Sequence, residues 1–442
     1  MLYAMRIGMM SMLFLMLFVS VVVVGQDNPP PRVEEWLKRN NQRGNSSIST
    51  MAWAAREGRL DVMIWLKDQG TDVKVNGTTA LFQAAWGGHV EVMEWLKEQG
   101  LDVHAKDSTE RTLMLSAALG GKVNAMKWLK EQGLDVNVTN MTGDSPLRSA
   151  ARGAHFEALK WLKDNGVDIN ARDSMGRTVM FSAASGGNIA VMEWLKEHGA
   201  DVNPIANGGV TPMFWAAQTG RIEAMKWLKD HGADVNAESH GPHGGGTPIF
   251  LAAWLGRLEA MKWLKEQGAD VNVKNNDGST LMVEAGLGGN IEVVKWLQDQ
   301  GLDINAKDRE GATLMFSSAR AHNIELMKWL KEQGVEVDGR DNRGRTPMFS
   351  AASMGRIEAL KWLKEQGLDV NAKDNEGKTP IFLATPHFLE TMKWLKEQGA
   401  DITIRANDAK TLISEAQAYN RDDVVKWLKE EGVDIPKPMD EF

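Results

Sequence analysis

Two histidines three residues apart, His240 and His243, follow Glu238 closely. Imidazole nitrogens and a carboxylate are common zinc ligands. A structural zinc site needs four ligands, and the two imidazoles lack a third ordered partner, so no metal is assigned. The alternative for Ser239–Gly246 is an elongated finger that serves as a contact point, since loops on a rigid scaffold commonly carry function. The chain has no cysteine, which excludes disulfides, thiolate metal sites and cysteine nucleophiles. Ser, His and Asp are all present, yet they mostly fall on a repeated register. Asp135, Asp201, Asp234 and Asp270 hold the same place in the phrase Ala-Asp-Val-Asn and its variants. A residue that returns with every period builds the fold. Asn207-Gly208-Gly209 opens no strand–loop–helix phosphate motif. No catalytic residue and no cofactor is expected.

The elements behind that register come from a longer phrase, Met-Lys-Trp-Leu-Lys-Glu-Gln-Gly. Its tryptophan recurs from Trp65 to Trp427 at steps of 33 residues, broken only by one step each of 30, 36 and 32. Such a period predicts a stacked solenoid in which each unit buries its apolar face against its neighbours. In one unit, Asn375-Glu376-Gly377 forms a turn, Thr379 caps a helix, and Pro380 takes its first position, where the missing N–H costs nothing. The second helix of another unit, Ile222 to Lys229, carries Ile222, Met225 and Leu228 on one stripe with Trp227 beside them, and Gly232 stops it.

Turn, Thr-Pro-aliphatic-x-x-Ala-Ala-x-x-Gly, second helix, then Gly-Ala-Asp-Val-Asn resembles the ankyrin repeat. Thr-Pro stands at Pro212, Pro248, Pro347 and Pro380, with Ser145-Pro146 as a variant. The resemblance implies an all-α ankyrin-repeat solenoid of about twelve helix-turn-helix repeats with short β-turn fingers. It covers the array at 47–435; the residues themselves place a signal peptide at 1–25, a linker and amino-terminal capping half-repeat at 26–46 and a polar tail at 436–442. The family's Thr-Pro-Leu-His has a histidine that hydrogen-bonds between repeats; here Phe82, Phe181, Phe214, Phe250, Phe316, Phe349 and Phe382 stand there, so an apolar contact must replace it. The recurring tryptophan is expected to fill the layer between repeats. Pro386 should shorten the first helix of its unit, with a local hinge as a sharper reading, and Ala409 stands where glycine is usual.

Net charge is −8, which argues against nucleic acid as a partner, because phosphate binding needs a basic face. The apolar run Ile7–Val24 and the short residues before Gly25 read as a signal peptide cleaved after Gly25. An uncleaved anchor is the alternative, since such a run just spans a bilayer. Cleavage implies a protein secreted or exported to the cell envelope or periplasm; a membrane enters only if the segment is retained.

In ankyrin arrays partners usually meet the finger tips and the first helix. The two positions after Ala-Ala then line the groove, giving Arg56, Trp86, Leu119, Arg152, Gln218, Trp254, Leu255, Leu287, Arg320, Met354 and Tyr419 as partner-binding candidates. Trp, Tyr and Arg are the usual hot-spot types. Arg172, Arg177, Arg309, Arg343, Arg345 and Lys378 should make part of the finger edge basic. The expected function is non-enzymatic binding of a protein partner. The alternatives are a glycan- or small-ligand-binding module that uses exposed tryptophan, and a membrane-tethered scaffold.

Overall fold

A computed structural model describes residues 29–41, 50–240, 245–276 and 278–433. The apolar segment Ile7–Val24, the cut after Gly25, His243 and the tail at 436–442 lie outside the described residues. The chain divides into two compact units, Met1–Ala206 and Asn207–Phe442. Both are all-α, built from hairpins of short helices. Among the described residues the only strand-like pairings are isolated bridges, Ser239–Gly246, Lys274–Thr280 and Arg405–Thr411.

The first unit opens on the helix Pro31–Asn41, which packs on Leu60–Asp68. Its Trp36 is 1 % exposed and donates Nε1–H to Glu57 at 2.6 Å. First helices then stack in order: Thr50–Arg56, Val73–Gly87, Leu113–Leu119, Pro146–Arg152 and Val179–Gly186. They approach closely because their paired alanines, such as Ala117-Ala118 and Ala150-Ala151, are fully enclosed. The 30-residue step leaves the second repeat without a finger, a departure from the expected pattern. Asp72 accepts from the Lys74 amide at 2.8 Å, and helix runs from Val73 straight through to Gly87.

The second unit repeats the scheme through Pro212–Thr219, Pro248–Trp254, Leu281–Gly288, Leu314–Ala321, Pro347–Ala352 and Pro380–Ala384. The helix Ile222–Asp230 buries Ala224, Met225, Trp227 and Leu228, and Gly232 follows it at φ +86°. Pro380–Ala384 is only five residues long, as Pro386 requires. The Pro386 carbonyl accepts from Arg421 Nη1 at 2.6 Å, so the break is tied to the following repeat. Ala409 takes φ +63°, the left-handed conformation that glycine supplies in most of the other finger turns and that Glu110 also adopts at φ +59°.

The expected threonine caps divide into two groups. Thr112, Ser145, Thr280 and Thr411 each accept, through the side chain, from the amide three residues on. Thr178, Thr211, Thr247, Thr313, Thr346 and Thr379 make no such bond. The residue three positions on is Leu115, Arg148, Val283 or Ser414 in the first group and always phenylalanine in the second. There the phenylalanine amide turns to the threonine carbonyl instead, as Phe382 does to Thr379 at 3.0 Å. The hydroxyls of Thr178, Thr211, Thr247, Thr346 and Thr379 are left buried and unpartnered. The phenylalanines themselves are buried, as an apolar replacement for histidine demands.

The recurring indoles help fill the layer between repeats but are not its most enclosed members. The fully enclosed positions are two before the tryptophan and one after it, as with Met93 and Leu96 or Met261 and Leu264. The indole lies a step round the helix and seals the outer edge. Trp128 and Trp194 in the first unit and Trp227, Trp263, Trp362 and Trp427 in the second are buried, whereas Trp65, Trp95 and Trp161, and Trp296, Trp329 and Trp394, are half-buried. The lysine two residues on bridges to the glutamine of the next repeat: Lys67 to Gln99 and Lys97 to Gln132 at 2.6 Å, and Lys364 to Gln398 at 2.7 Å.

Candidate functional site

The aspartates of the repeated phrase are structural. Asp135, Asp234 and Asp270 each accept from the backbone amide two residues on, at 2.8–2.9 Å, and Asp201 does so at 3.1 Å. His240 is exposed, with its amide bonded to the Gly208 carbonyl at 2.7 Å. No group of three metal-ligating side chains occurs among the described residues. No helix among them is long and apolar enough to cross a membrane.

The partner-binding candidates stand at or just past the carboxyl ends of the first helices. In the first unit Arg152 is exposed and Arg56, Trp86 and Leu119 are half-buried. In the second, Trp254 (37 %) and Tyr419 (51 %) are exposed together with Arg320. Gln218, Leu255, Leu287 and Met354 are half-buried, and Leu287 borders a shallow depression with Ala321, His322 and Asn323.

Each repeat fixes this row on its predecessor. His89 Nε2 lies 3.0 Å from the Arg56 carbonyl, and His155 Nε2 lies 3.0 Å from that of Leu119. A carbonyl only accepts, so both imidazoles carry a proton on Nε2. Asn188 donates to the Arg152 carbonyl at 3.0 Å; in the second unit Arg257 reaches that of Gln218 at 2.9 Å and Arg356 that of Arg320 at 3.1 Å. At two of these contacts the backbones come so close that a Cβ does not fit. A Cβ on Gly120 would lie 2.0 Å from the Trp86 carbonyl oxygen, and one on Gly288 would lie 1.8 Å from that of Trp254. The candidate side chains therefore project from a backbone held at the same atoms in repeat after repeat.

One turn earlier stand residues that the register reading passed over. Trp53 and Trp215 are half-buried, three residues before Arg56 and Gln218, and the i, i+3 spacing was the available signal. Trp53 and Trp86 flank Arg56, with ring centroids 5.3 Å and 4.0 Å from its Cζ.

Arg152 is held by Asp144 at 3.2 Å. Below it Arg148, standing where the family places histidine, is buried and pairs with Asp173, whose side chain is 2 % exposed. Arg177 binds the same carboxylate oxygen at 2.7 Å. Burial alone pushes the Asp173 carboxyl up. The Arg177 amide and guanidinium, with the charge of Arg148, outweigh that and hold it below the ordinary carboxylate value. Burial, then the charge of Arg177, lowers Arg148.

The finger edge is less basic than expected. Arg343 pairs with Glu310 at 3.2 Å, Arg345 with Asp374 at 3.1 Å and Lys378 with Glu376 at 2.9 Å. In the first unit Arg177 is spent on Asp173 and Arg172 on the Ile205 carbonyl at 2.8 Å. Acidic residues two or four positions along the same turn, Glu376 and Asp173, or in an adjoining turn, Glu310 and Asp374, neutralise the charge. Met141, Met175 and Ile205 are exposed in that region, and no periodic signal announced them.

A family model described as Ankyrin repeats (3 copies) matches overlapping stretches at residues 21–107, 106–173, 168–239, 204–275, 237–308 and 281–374. The match indicates no catalytic family. A comparison with curated proteins finds no match.

Proposed function

The chain belongs to the ankyrin-repeat family, whose repeats generally mediate protein–protein interaction, and from that premise we propose that it is a non-enzymatic scaffold that binds a protein partner along the first-helix face of its units. The observation that carries this reading is the row of aromatic, arginine and aliphatic side chains at the carboxyl ends of those helices: Arg56, Trp86, Leu119 and Arg152, then Gln218, Trp254, Leu255, Leu287, Arg320, Met354 and Tyr419. Aromatic and arginine anchors on a fixed backbone lose little conformational freedom on binding. Affinity capture with the full chain, run beside a chain carrying alanine at Trp86, Trp254 and Arg152, tests it.

The exposed Trp254 also favours a second reading, a stacking platform for a glycan. A glycan array screened with the same two chains decides between them. We further propose that the protein is secreted or exported to the cell envelope, and that the helix Pro31–Asn41 caps the array. Amino-terminal sequencing that begins at Gln26 supports cleavage; a retained Ile7–Val24 segment makes the protein a membrane-tethered scaffold.

A further inference from the structure

Arg56 is held differently from the other arginines of its row. Its guanidinium is flanked by two indoles, Trp53 from its own helix and Trp86 from the next repeat. Stacking on aromatic faces fixes the plane of a guanidinium and leaves its N–H edge open. Among the described residues no carboxylate or carbonyl accepts from it, whereas Arg152 has Asp144 and Arg148 has Asp173. The adjacent acid, Glu57, accepts from Trp36 Nε1. Residues 42–49, which precede this helix, contain no Asp or Glu. The backbone beneath is pinned, with the Arg56 carbonyl bonded to His89. Gly87 also fits closely there, since a Cβ on it would lie 2.5 Å from that oxygen.

We propose that Arg56 is a carboxylate anchor: the fork between Trp53 and Trp86 receives an Asp or Glu side chain of the partner protein, with apolar neighbours of that residue packing on Trp86 and Leu119. The chemistry follows from the parts. A planar guanidinium with free edge donors matches a carboxylate bidentately, and such charge-assisted bonds are the strong ones. Partly buried indoles on both sides shield the pair from water, which strengthens it. The inference rests on the groove-binding reading and names the class of residue that the first unit takes.

The probe is a displayed library of random twelve-residue peptides selected on the full chain. Selected peptides should carry an acidic residue at a fixed position. Changing that residue to its amide should weaken binding to the wild-type chain by about tenfold or more. The same change should have little effect on binding to the Arg56→Gln chain, because the pair is already broken. Arg56→Lys keeps the charge but loses the planar stacking and the fork, and should fall between the two. Circular-dichroism melts of both variants establish that they fold. Selected peptides without an acidic residue, or equal losses in wild type and Arg56→Gln, overturn the proposal. Peptides that lose binding in Trp254→Ala or Arg152→Ala but not in Arg56→Gln overturn it and leave the groove reading intact. Peptides insensitive to every groove substitution overturn both.

Discussion

The amide of Phe349 donates to the carbonyl of Thr346 at 3.0 Å, while the hydroxyl of the same threonine is buried without a partner. Helices with leucine, arginine, valine or serine at the phenylalanine position keep the hydroxyl-to-amide cap. Replacing the family's histidine with phenylalanine thus closes the space with an apolar ring and strands a hydroxyl. An unsatisfied buried hydroxyl costs about 1–3 kcal/mol, and removing it in favour of a group of the same shape is neutral or stabilising. The prediction is that Thr346→Val and Thr379→Val raise the unfolding free energy read from urea melts, by up to about 1 kcal/mol each. Thr112→Val, which removes a working cap, should lower it by about 1 kcal/mol. Loss of stability in all three would show that the orphaned hydroxyls have partners after all.

Asp173 joins Arg148 and Arg177 in the first unit. Asp173→Asn removes the carboxylate that both guanidinium groups share, one of them buried, and should cost about 3–5 kcal/mol. The pH dependence has a definite sign. The folded carboxyl lies below its ordinary value of 3.8, so its contribution is complete above that value and is lost as pH falls through the lower folded value. The wild-type chain should therefore lose stability below about pH 4, and the Asn variant should lose less over the same range. Parallel acid-unfolding curves would contradict this.

Gly288 lets the Trp254 carbonyl oxygen come within 1.8 Å of where a Cβ would stand. Gly288→Ala should force the two repeats apart and cost about 1–3 kcal/mol by overpacking. Alanine at Gly268, beside which no atom lies within 4 Å, meets no such clash, although its φ of +94° still strains any side chain. The two variants differ in what they disturb: only Gly288→Ala should change the fluorescence emission of the exposed Trp254. Identical spectra for both variants would count against the close approach.

Much of this was legible in advance. The tryptophan period gave the hairpin repeat because packing of like units imposes the spacing on the sequence. The same register fixed where the two positions after Ala-Ala stand, at or just past the carboxyl ends of the first helices. Side-chain environment was harder to read. Trp53 and Trp215 share the face one turn earlier but lie outside the two positions that the pattern singles out. The cap expected of Thr379 is not made, because the orphaning depends on the ring three residues away. The finger arginines looked free because their acidic partners lie in neighbouring turns as well as their own. The missing finger in the second repeat was visible only as a step of 30, and the helix that replaced it, Val73–Gly87, needed the Asp72 cap to be seen.

The central claim is that the first-helix rows of this scaffold hold a protein partner. Calorimetric titration of one captured partner against the wild-type chain and the chain with alanine at Trp86, Trp254 and Arg152 tests it most directly. Hot-spot side chains cost about 2 kcal/mol or more each on truncation, so the dissociation constant should rise by at least about a hundredfold while the far-UV spectrum is retained. An unchanged dissociation constant in a folded triple variant would contradict the account.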